Sequence, residues 1–302
     1  MKIAVLGIGG IGGVLGAFLA SKFDDVHFIA RGKTLEAIRQ NGIKLISDSR
    51  GTIFARPASV TDKPEEIGTA DIILICTKGY GLENAVKQCI PIIDENTVIL
   101  PFLNGINISD DIKKYTQKGI AADGAIYVFA NIEQPGVIHH SGTMLKTAFG
   151  IKNGEKNKNL EALAQMLTES GIESTYAEDI LVPLWEKYIM MCGNSCIFAY
   201  FNSAAGEIQP DPEKMKFVSA VYGELAALAH LSGAEVSPDI AEKYTKTFLT
   251  LPKDTITSLY RDIKNGSPQT EFDSIIGKAY NLSIQLGADT PCINAVYRKY
   301  RG

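Results

Sequence analysis

The first twelve residues constrain this chain more than any other stretch. Ile3 to Leu6 form an apolar run of strand length that feeds directly into Gly7-Ile8-Gly9-Gly10-Ile11-Gly12, a Gly-x-Gly-x-x-Gly spacing. Apolar residues then return at Ile11, Val14, Leu15, Phe18 and Leu19, the repeat of one helical face. Strand, glycine turn and helix, in that order, are the context a dinucleotide-binding unit requires. Gly7 permits a tight turn, Gly9 lets backbone approach a pyrophosphate, and Gly12 lets helix and strand pack closely. The N–H groups and positive end of the helix then face the phosphates. Outside that context the same glycines would be no more than a flexible turn.

The second half of such a unit selects the cofactor. Val26-His27-Phe28-Ile29-Ala30 ends about twenty residues after the glycines, where an acidic side chain would hold the ribose hydroxyls of NAD. The residues that follow are Arg31-Gly32-Lys33, with no acid. A carboxylate would repel a 2′-phosphate, whereas a guanidinium binds it with paired hydrogen bonds. Arg31 therefore favours NADP(H), the alternative being an ordinary solvated arginine.

At 302 residues, 45% hydrophobic and 21% charged, the chain is long enough for two domains with cores of their own. A net charge of -4 gives no general basic field for nucleic acid or anionic membrane. Five cysteines without a C-x-x-C pair read as reduced, mostly buried thiols of a cytoplasmic protein, and no metal site is expected. The opening apolar run is too short for a signal peptide, and Tyr188 to Phe201, uncharged but interrupted by Asn194 and Ser195, reads as a buried helix and not a membrane span. The basic Arg298-Lys299-Tyr300-Arg301 reads as a solvated helix end.

Two further apolar stretches, Ala70 to Lys78 and Thr97 to Phe102, have the continuous character of a parallel sheet buried on both faces. They end at Thr77-Lys78 and at Leu103-Asn104-Gly105. Ligands of open α/β sheets bind at carboxyl ends of strands, which would place Lys78 and Asn104 with the glycine loop. Strand-end position alone leaves Lys78 as either a site residue or a surface cation, and Asn104-Gly105 as either a site loop or a turn. Ile43 to Phe54 reads as a hairpin, and the short strands between Gly119 and Gly150 as an antiparallel addition to the same sheet. His139 and His140 should point to opposite faces, one structural and one in water. A helix from Lys158 and an edge strand at Ile172 to Tyr176 close this part. From about Asp179 every periodic stretch is helical, giving domains of 1–178 and 179–302.

One helix of the second part stands out. From Pro183 to Tyr200 it is apolar on almost every side, with Glu186 and Lys187 as its only charges. Desolvation disfavours the ammonium, lowers the pKa of such a lysine, and makes it a proton donor suited to neutral pH. Reduction of a ketone needs one, because negative charge grows on the carbonyl oxygen as hydride arrives. Asn194 lies two helical turns on, on nearly the same face. The alternative is that Lys187 snorkels into water. Glu271 opens a helix expected to run to Leu286, where a first-turn acid is commonplace.

Taken together, Gly7-x-Gly9-x-x-Gly12, Arg31-Gly32, Thr77-Lys78, Asn104-Gly105, Pro135-Gly136-Val137-x-His139-x-x-Gly142, Leu184-Trp185-x-Lys187, Ser258 and Thr270-Glu271-x-Asp273 resemble the ketopantoate reductase family from end to end. The resemblance implies an α/β chain: an N-terminal Rossmann domain for NADP(H), held through Gly7 to Gly12, Arg31, Thr77, Lys78 and Asn104, followed by an all-helical domain. It implies that Lys187 is the general acid, that Glu271 binds the substrate hydroxyl, that Ser258 helps hold the carboxylate, and that Lys78 and Asn104 lie near the reacting centre. The small 2-oxo acid would be ketopantoate and the product pantoate, a precursor of pantothenate and coenzyme A. A homodimer and a monomer are both compatible with it.

The chain departs from the family pattern on the substrate side. Asparagines usual four and eight residues after the lysine are Met191 and Ser195, with Asn194 offset between them, and Thr255 stands where asparagine often precedes the serine. The segment from Ser258 to Glu271 is also one residue longer. A lost hydrogen-bond partner can alter substrate preference by orders of magnitude, so another small 2-oxo acid is the first alternative. A non-catalytic NADP-binding sensor of the same fold is a second, and a dehydrogenase of the wider 3-hydroxy acid superfamily a third. Arg31→Ala is expected to raise KM for NADPH while hardly changing that for NADH, as steady-state kinetics with both dinucleotides would show.

Overall fold

A computed structural model describes residues 1–302. The chain forms two compact units, one of Met1–Leu103 with Asn107–Ile180, the other of Asn104–Ile106 with Leu181–Gly302. The first unit runs β1 (Ile3–Leu6), α1 (Gly10–Ala20), β2 (Val26–Ile29), α2 (Gly32–Asn41), β3 (Ile43–Ser47), β4 (Gly51–Ala55), β5 (Ser59–Thr61), β6 (Ile72–Ile75), α3 (Leu82–Cys89), β7 (Val98–Pro101), α4 (Ile108–Ile112), β8 (Ile120–Ala121), β9 (Asp123–Gln134), β10 (Val137–Gly150), α5 (Lys158–Glu169) and β11 (Glu173–Tyr176).

Six of these strands form one parallel sheet in the order β5-β2-β1-β6-β7-β8. Counted by appearance within the sheet this is 3-2-1-4-5-6, the doubly wound order whose switch point lies between β1 and its later neighbour, here β6. β1 and β6 are buried along their whole length, which is why their sequences are unbroken apolar runs.

The remaining strands build a second sheet. β10 pairs in parallel with β3 over Val137–His140 and with β11 over Lys146–Phe149, while β9 runs antiparallel along its other edge. The expected antiparallel extension of the first sheet is therefore corrected. The two-residue β8 ends that sheet, and the hairpin of β9 and β10 recruits β3, β4 and β11 instead. Alternation along a strand reveals which face is buried but not which edge it joins. His140 is buried on Ser47 Oγ at 2.9 Å, and His139 sits at the surface on Asp48 at 2.8 Å, the opposite faces that alternation requires.

Helix α1 touches both sheets, and its glycines make that possible. A Cβ on Gly13 would stand 2.5 Å from Ile138 of β10, and one on Gly16 would stand 2.8 Å from the Phe28 ring of β2. Gly12 is tighter still, its added Cβ lying 2.2 Å from the Gly7 carbonyl oxygen.

The second unit is helical: α6 (Leu181–Phe201), α7 (Ala205–Ile208), α8 (Pro212–Leu231), α9 (Ile240–Leu249), α10 (Ser258–Lys264), α11 (Lys278–Leu286) and α12 (Pro291–Arg301). α6 packs on α8, α9, α10 and α12, and this central place accounts for its all-round apolar sequence. No helix is long and apolar enough to cross a membrane. One expectation is corrected here. The segment before α11 is a π-helical turn over Asp273–Gly277, so no single regular helix runs from Glu271 to Leu286. Arg298, Lys299 and Arg301 are exposed at the end of α12, the solvated helix end that was expected. Two of them also make polar contacts: Lys299 Nζ donates to the last carbonyls of α6 at Ala199 and Tyr200, 3.0 and 2.6 Å away, and Arg301 pairs with Asp273. Carbonyls at a helix end have no partner within the helix and attract a cation.

Gly193 of α6 faces the Tyr222 ring of α8, and an added Cβ would lie 2.4 Å from Cε1. Gly193→Ala is expected to lower unfolding free energy by about 1–3 kcal/mol through overpacking, read as a reduced urea midpoint with an unchanged m-value.

Candidate active site

In the first unit, the glycine turn, Arg31 and Thr77-Lys78 all follow the carboxyl ends of adjacent strands, because β2, β1 and β6 are parallel and in register. Gly7 has a φ of +89°, and a Cβ there would meet Thr77 Cγ2 and the Cys76 backbone at 3.0 to 3.1 Å. The turn thus has both a left-handed conformation and a close approach that a side chain would obstruct. At Gly9 the opposite holds, since an added Cβ would meet nothing within 4 Å. Gly9 caps α1 without a side-chain hydrogen bond, leaving first-turn N–H groups without a side-chain acceptor.

Two observations test whether a dinucleotide suits these residues. Open space stands over Gly9 beside the positive end of α1, and the buried Thr77 hydroxyl has no hydrogen-bond partner. A buried hydroxyl with no partner carries a desolvation cost that a polar ligand atom would remove. Arg31 is exposed at the start of α2, its Nη2 donating to Gln88 Oε1, while Gln88 Nε2 donates to the Asp62 carbonyl at 3.3 Å. Lys78 is also exposed. Residues and geometry fit an anionic dinucleotide.

In the second unit Lys187 lies in the first two turns of α6, partly buried between Trp185 and Tyr188, neighbours that are themselves almost fully buried. Its Nζ donates to Asn104 Oδ1 at 3.4 Å. Asn104 reaches it because Asn104–Ile106 belong to this unit, with Ile106 buried in its core. Burial pushes the Lys187 amine down to about 8, and the negative charge of Glu271 partly opposes that fall. Glu271 is only 3% exposed, on the backbone just ahead of the π-helical turn.

The other residues singled out in the sequence stand differently. Asn194 Oδ1 accepts the Tyr222 hydroxyl proton at 2.7 Å, and the buried Ser195 hydroxyl donates back to the Met191 carbonyl at 2.8 Å. Ser258 is exposed at the first residue of α10, next to the capping Thr257. No group of three or more His, Cys, Asp or Glu side chains is arranged to hold a metal. Sequence reading missed Gln88, the partner of Arg31, and Tyr188, whose hydroxyl donates to the Ile275 carbonyl at 2.6 Å. A tyrosine in an apolar helix reads as core, and nothing in its spacing signals a long-range hydrogen bond.

A doubly wound sheet with an open glycine turn at its switch point, joined in one chain to a helical unit carrying a desolvated lysine, defines the class of Rossmann-fold oxidoreductases. The profile described as "Ketopantoate reductase PanE/ApbA" matches residues 3–154, and that described as "Ketopantoate reductase PanE/ApbA C terminal" matches 179–302. The chain belongs to the ketopantoate reductase family. It is 26% identical to the uncharacterized oxidoreductase YkpB of Bacillus subtilis, over 98% of this chain and 97% of that protein. The crystal structure of 2-dehydropantoate 2-reductase from Porphyromonas gingivalis superposes with a TM-score of 0.85 at 30% identity, covering 100% of this chain and 99% of that one. D-mandelate dehydrogenase in its ternary structure with NADH and anilino(oxo)acetate shares the fold, with a TM-score of 0.83 at 22% identity over 99% and 98% of the two chains.

The lowered lysine can be observed without any assay. After reductive ¹³C-methylation, one dimethyl-lysine resonance, that of Lys187, is expected to titrate near pH 8. Lys187→Arg should delete that resonance. Glu271→Gln should move its midpoint to lower pH, because the carboxylate that favours the ammonium is gone.

Proposed function

We propose that the protein is an NADPH-dependent reductase of a small 2-oxo acid, with ketopantoate as substrate and pantoate as product, serving pantothenate and coenzyme A synthesis. The observation that carries this reading is the Lys187 amine, lowered to about 8 and held by Asn104, in a chain of this family. The assignment uses residues 1–178 for the dinucleotide and 179–302 for catalysis, with Asn104 contributed from outside the second range.

The Gly7-to-Gly12 turn and the start of α1 would receive the pyrophosphate, Thr77 Oγ1 and Lys78 would donate to the cofactor, and Arg31 would hold the 2′-phosphate. When bound, the reduced dinucleotide would supply the hydride that the carbonyl carbon takes up. Lys187 gives its proton to the carbonyl oxygen, so that the ketone becomes a secondary alcohol and the ammonium a neutral amine. Burial favours that neutral product, while Glu271 keeps enough ammonium present at neutral pH for the transfer to begin. The Asn104 amide orients Nζ. Glu271 also accepts from a substrate hydroxyl, Ser258 binds the carboxylate, and Lys78, Asn194 and Ser195 complete the polar surroundings.

A second reading is favoured by α6 itself. Beyond Lys187, the Asn194 oxygen and the Ser195 hydroxyl are already engaged inside the unit, and the side chain one turn on is the apolar Met191. Such a wall suits a 2-oxo acid with a plain branched or aromatic side chain better than a hydroxylated one.

Absorbance at 340 nm with ketopantoate, 2-oxoisovalerate, 2-oxoisocaproate and phenylpyruvate, each with NADPH and NADH, decides between them. The expected result is turnover of ketopantoate with NADPH well above NADH. Fast turnover of an unhydroxylated acid alone would establish the second reading, and dinucleotide binding without turnover of any acid would overturn both. Lys187→Ala is expected to lower kcat roughly 100-fold or more, with dinucleotide binding retained.

A further inference from the structure

We propose that Tyr188 is a positioning residue, whose hydroxyl fixes the π-helical turn at Asp273–Gly277 and thereby sets where the Glu271 carboxylate stands relative to Lys187. This rests on the assignment of Lys187 as proton donor.

The connection runs through one residue, Ile275. Its N–H donates to the Glu271 carbonyl at 3.0 Å, and its own carbonyl accepts the Tyr188 hydroxyl at 2.6 Å. Ile275 is thus held at one end by the backbone of Glu271 and at the other by α6. The Cys192 thiol, one turn beyond Tyr188, lies 3.8 Å from the same carbonyl, and the Lys278 N–H also donates to it. Ser274 Oγ returns to the Glu271 carbonyl at 3.1 Å, closing the turn on that residue.

The turn is of the wide i→i+5 kind, which interrupts an otherwise regular helix, and here it receives an outside hydrogen bond. Tyr188 can provide one because it is itself fixed. Its ring is 1% exposed and stands edge-on to Trp185, with centroids 5.5 Å apart at 89°. It also follows Lys187 directly in α6. One helix therefore carries the ammonium and, on the next residue, the clamp for the segment that brings the opposing charge. A regular turn at Asp273–Gly277 would rotate Glu271 by a fraction of a turn relative to α11 and change its distance from Nζ.

The groups facing Lys187 from other elements are the Asn104 amide, at 3.4 Å, and Glu271. Of the two only Glu271 carries charge, and its charge favours the ammonium. Displacing it lowers the Lys187 pKa further. A proton donor is active below its pKa, so the alkaline limb of kcat must then move to lower pH.

The test is kcat against pH with saturating NADPH and ketopantoate for the parent, Tyr188→Phe, Glu271→Gln and Lys187→Ala. Tyr260→Phe, which removes a hydroxyl bonded to Asn202, serves as a remote control. Phenylalanine keeps the ring and its packing, and near-ultraviolet circular dichroism verifies the fold. Tyr188→Phe is expected to shift the alkaline limb down by about 0.5 unit or more, toward the Glu271→Gln position, and to lower kcat at pH 8 roughly 3- to 10-fold with KM for NADPH within about twofold. Tyr260→Phe should leave the limb where it is. A Tyr188→Phe limb and kcat equal to the parent's, with Lys187→Ala slow, would overturn the role of Tyr188 alone. A Lys187→Ala enzyme as fast as the parent would instead remove the reading beneath it. Should Tyr188→Phe lose its fold, Ile275→Val is the second variant: it keeps the backbone clamp, must retain the parent's limb, and a shifted limb there would overturn the proposal.

Discussion

Desolvation of a single ammonium, that of Lys187, is the dominant electrostatic feature of the helical unit. Full burial can lower a lysine by several pH units, far enough to leave it neutral and useless as a donor near pH 7. At about 8 Lys187 stands between that extreme and a solvated lysine. Its position reflects two opposing effects, apolar packing that removes water and a carboxylate that restores part of the lost stabilisation. In the proposed reaction, an exposed lysine would hold its proton more tightly than Lys187 does, and loss of Glu271 would lower the fraction of ammonium further.

The first unit depends on a different constraint, the thickness of α1. This helix lies against β2 on one side and β10 on another, and an added methyl group would collide with Ile138 of β10 at Gly13, with the Phe28 ring of β2 at Gly16 and with the carbonyl oxygen of the Gly7 turn at Gly12. Gly13 and Gly16, which lie outside the phosphate-binding signature, thin the helix enough to sit between two sheets, while Gly12 of the signature lets it close on the Gly7 turn. Gly9 shows the division of labour. No neighbour excludes a side chain there, so its value lies in the space left open above the backbone.

Much of this was legible in the sequence, and the physical reason differs from element to element. Continuous apolar strands betray a parallel sheet because both faces are covered, and the glycine spacing betrays the turn because few other residues tolerate the conformation. The all-round apolar α6 announced a central helix, and its isolated Lys187 stood out against that background. The second sheet was not legible, because β10 divides one edge between β3 and β11, and strand periodicity carries no information about partners. Nor was the π-helical turn, which depends on a tyrosine hydroxyl 87 residues away in sequence. Asn194 and Ser195 illustrate a further limit: helical spacing places them near the face of Lys187, but Tyr222 and the backbone of α6 itself claim their oxygens.

The short excursion Asn104–Ile106 carries a consequence for how the chain can be made and divided. Three residues from early in the sequence complete the helical unit, one of them buried in its core and another holding Lys187. A fragment cut from Leu181 onward would have a hole where Ile106 belongs and an amine missing its amide neighbour. During synthesis the ribosome has already released that tripeptide when α6 emerges, so the later half folds onto a piece of the earlier one. Halves of such a chain cannot be exchanged between homologues as free-standing cassettes without carrying this loop along.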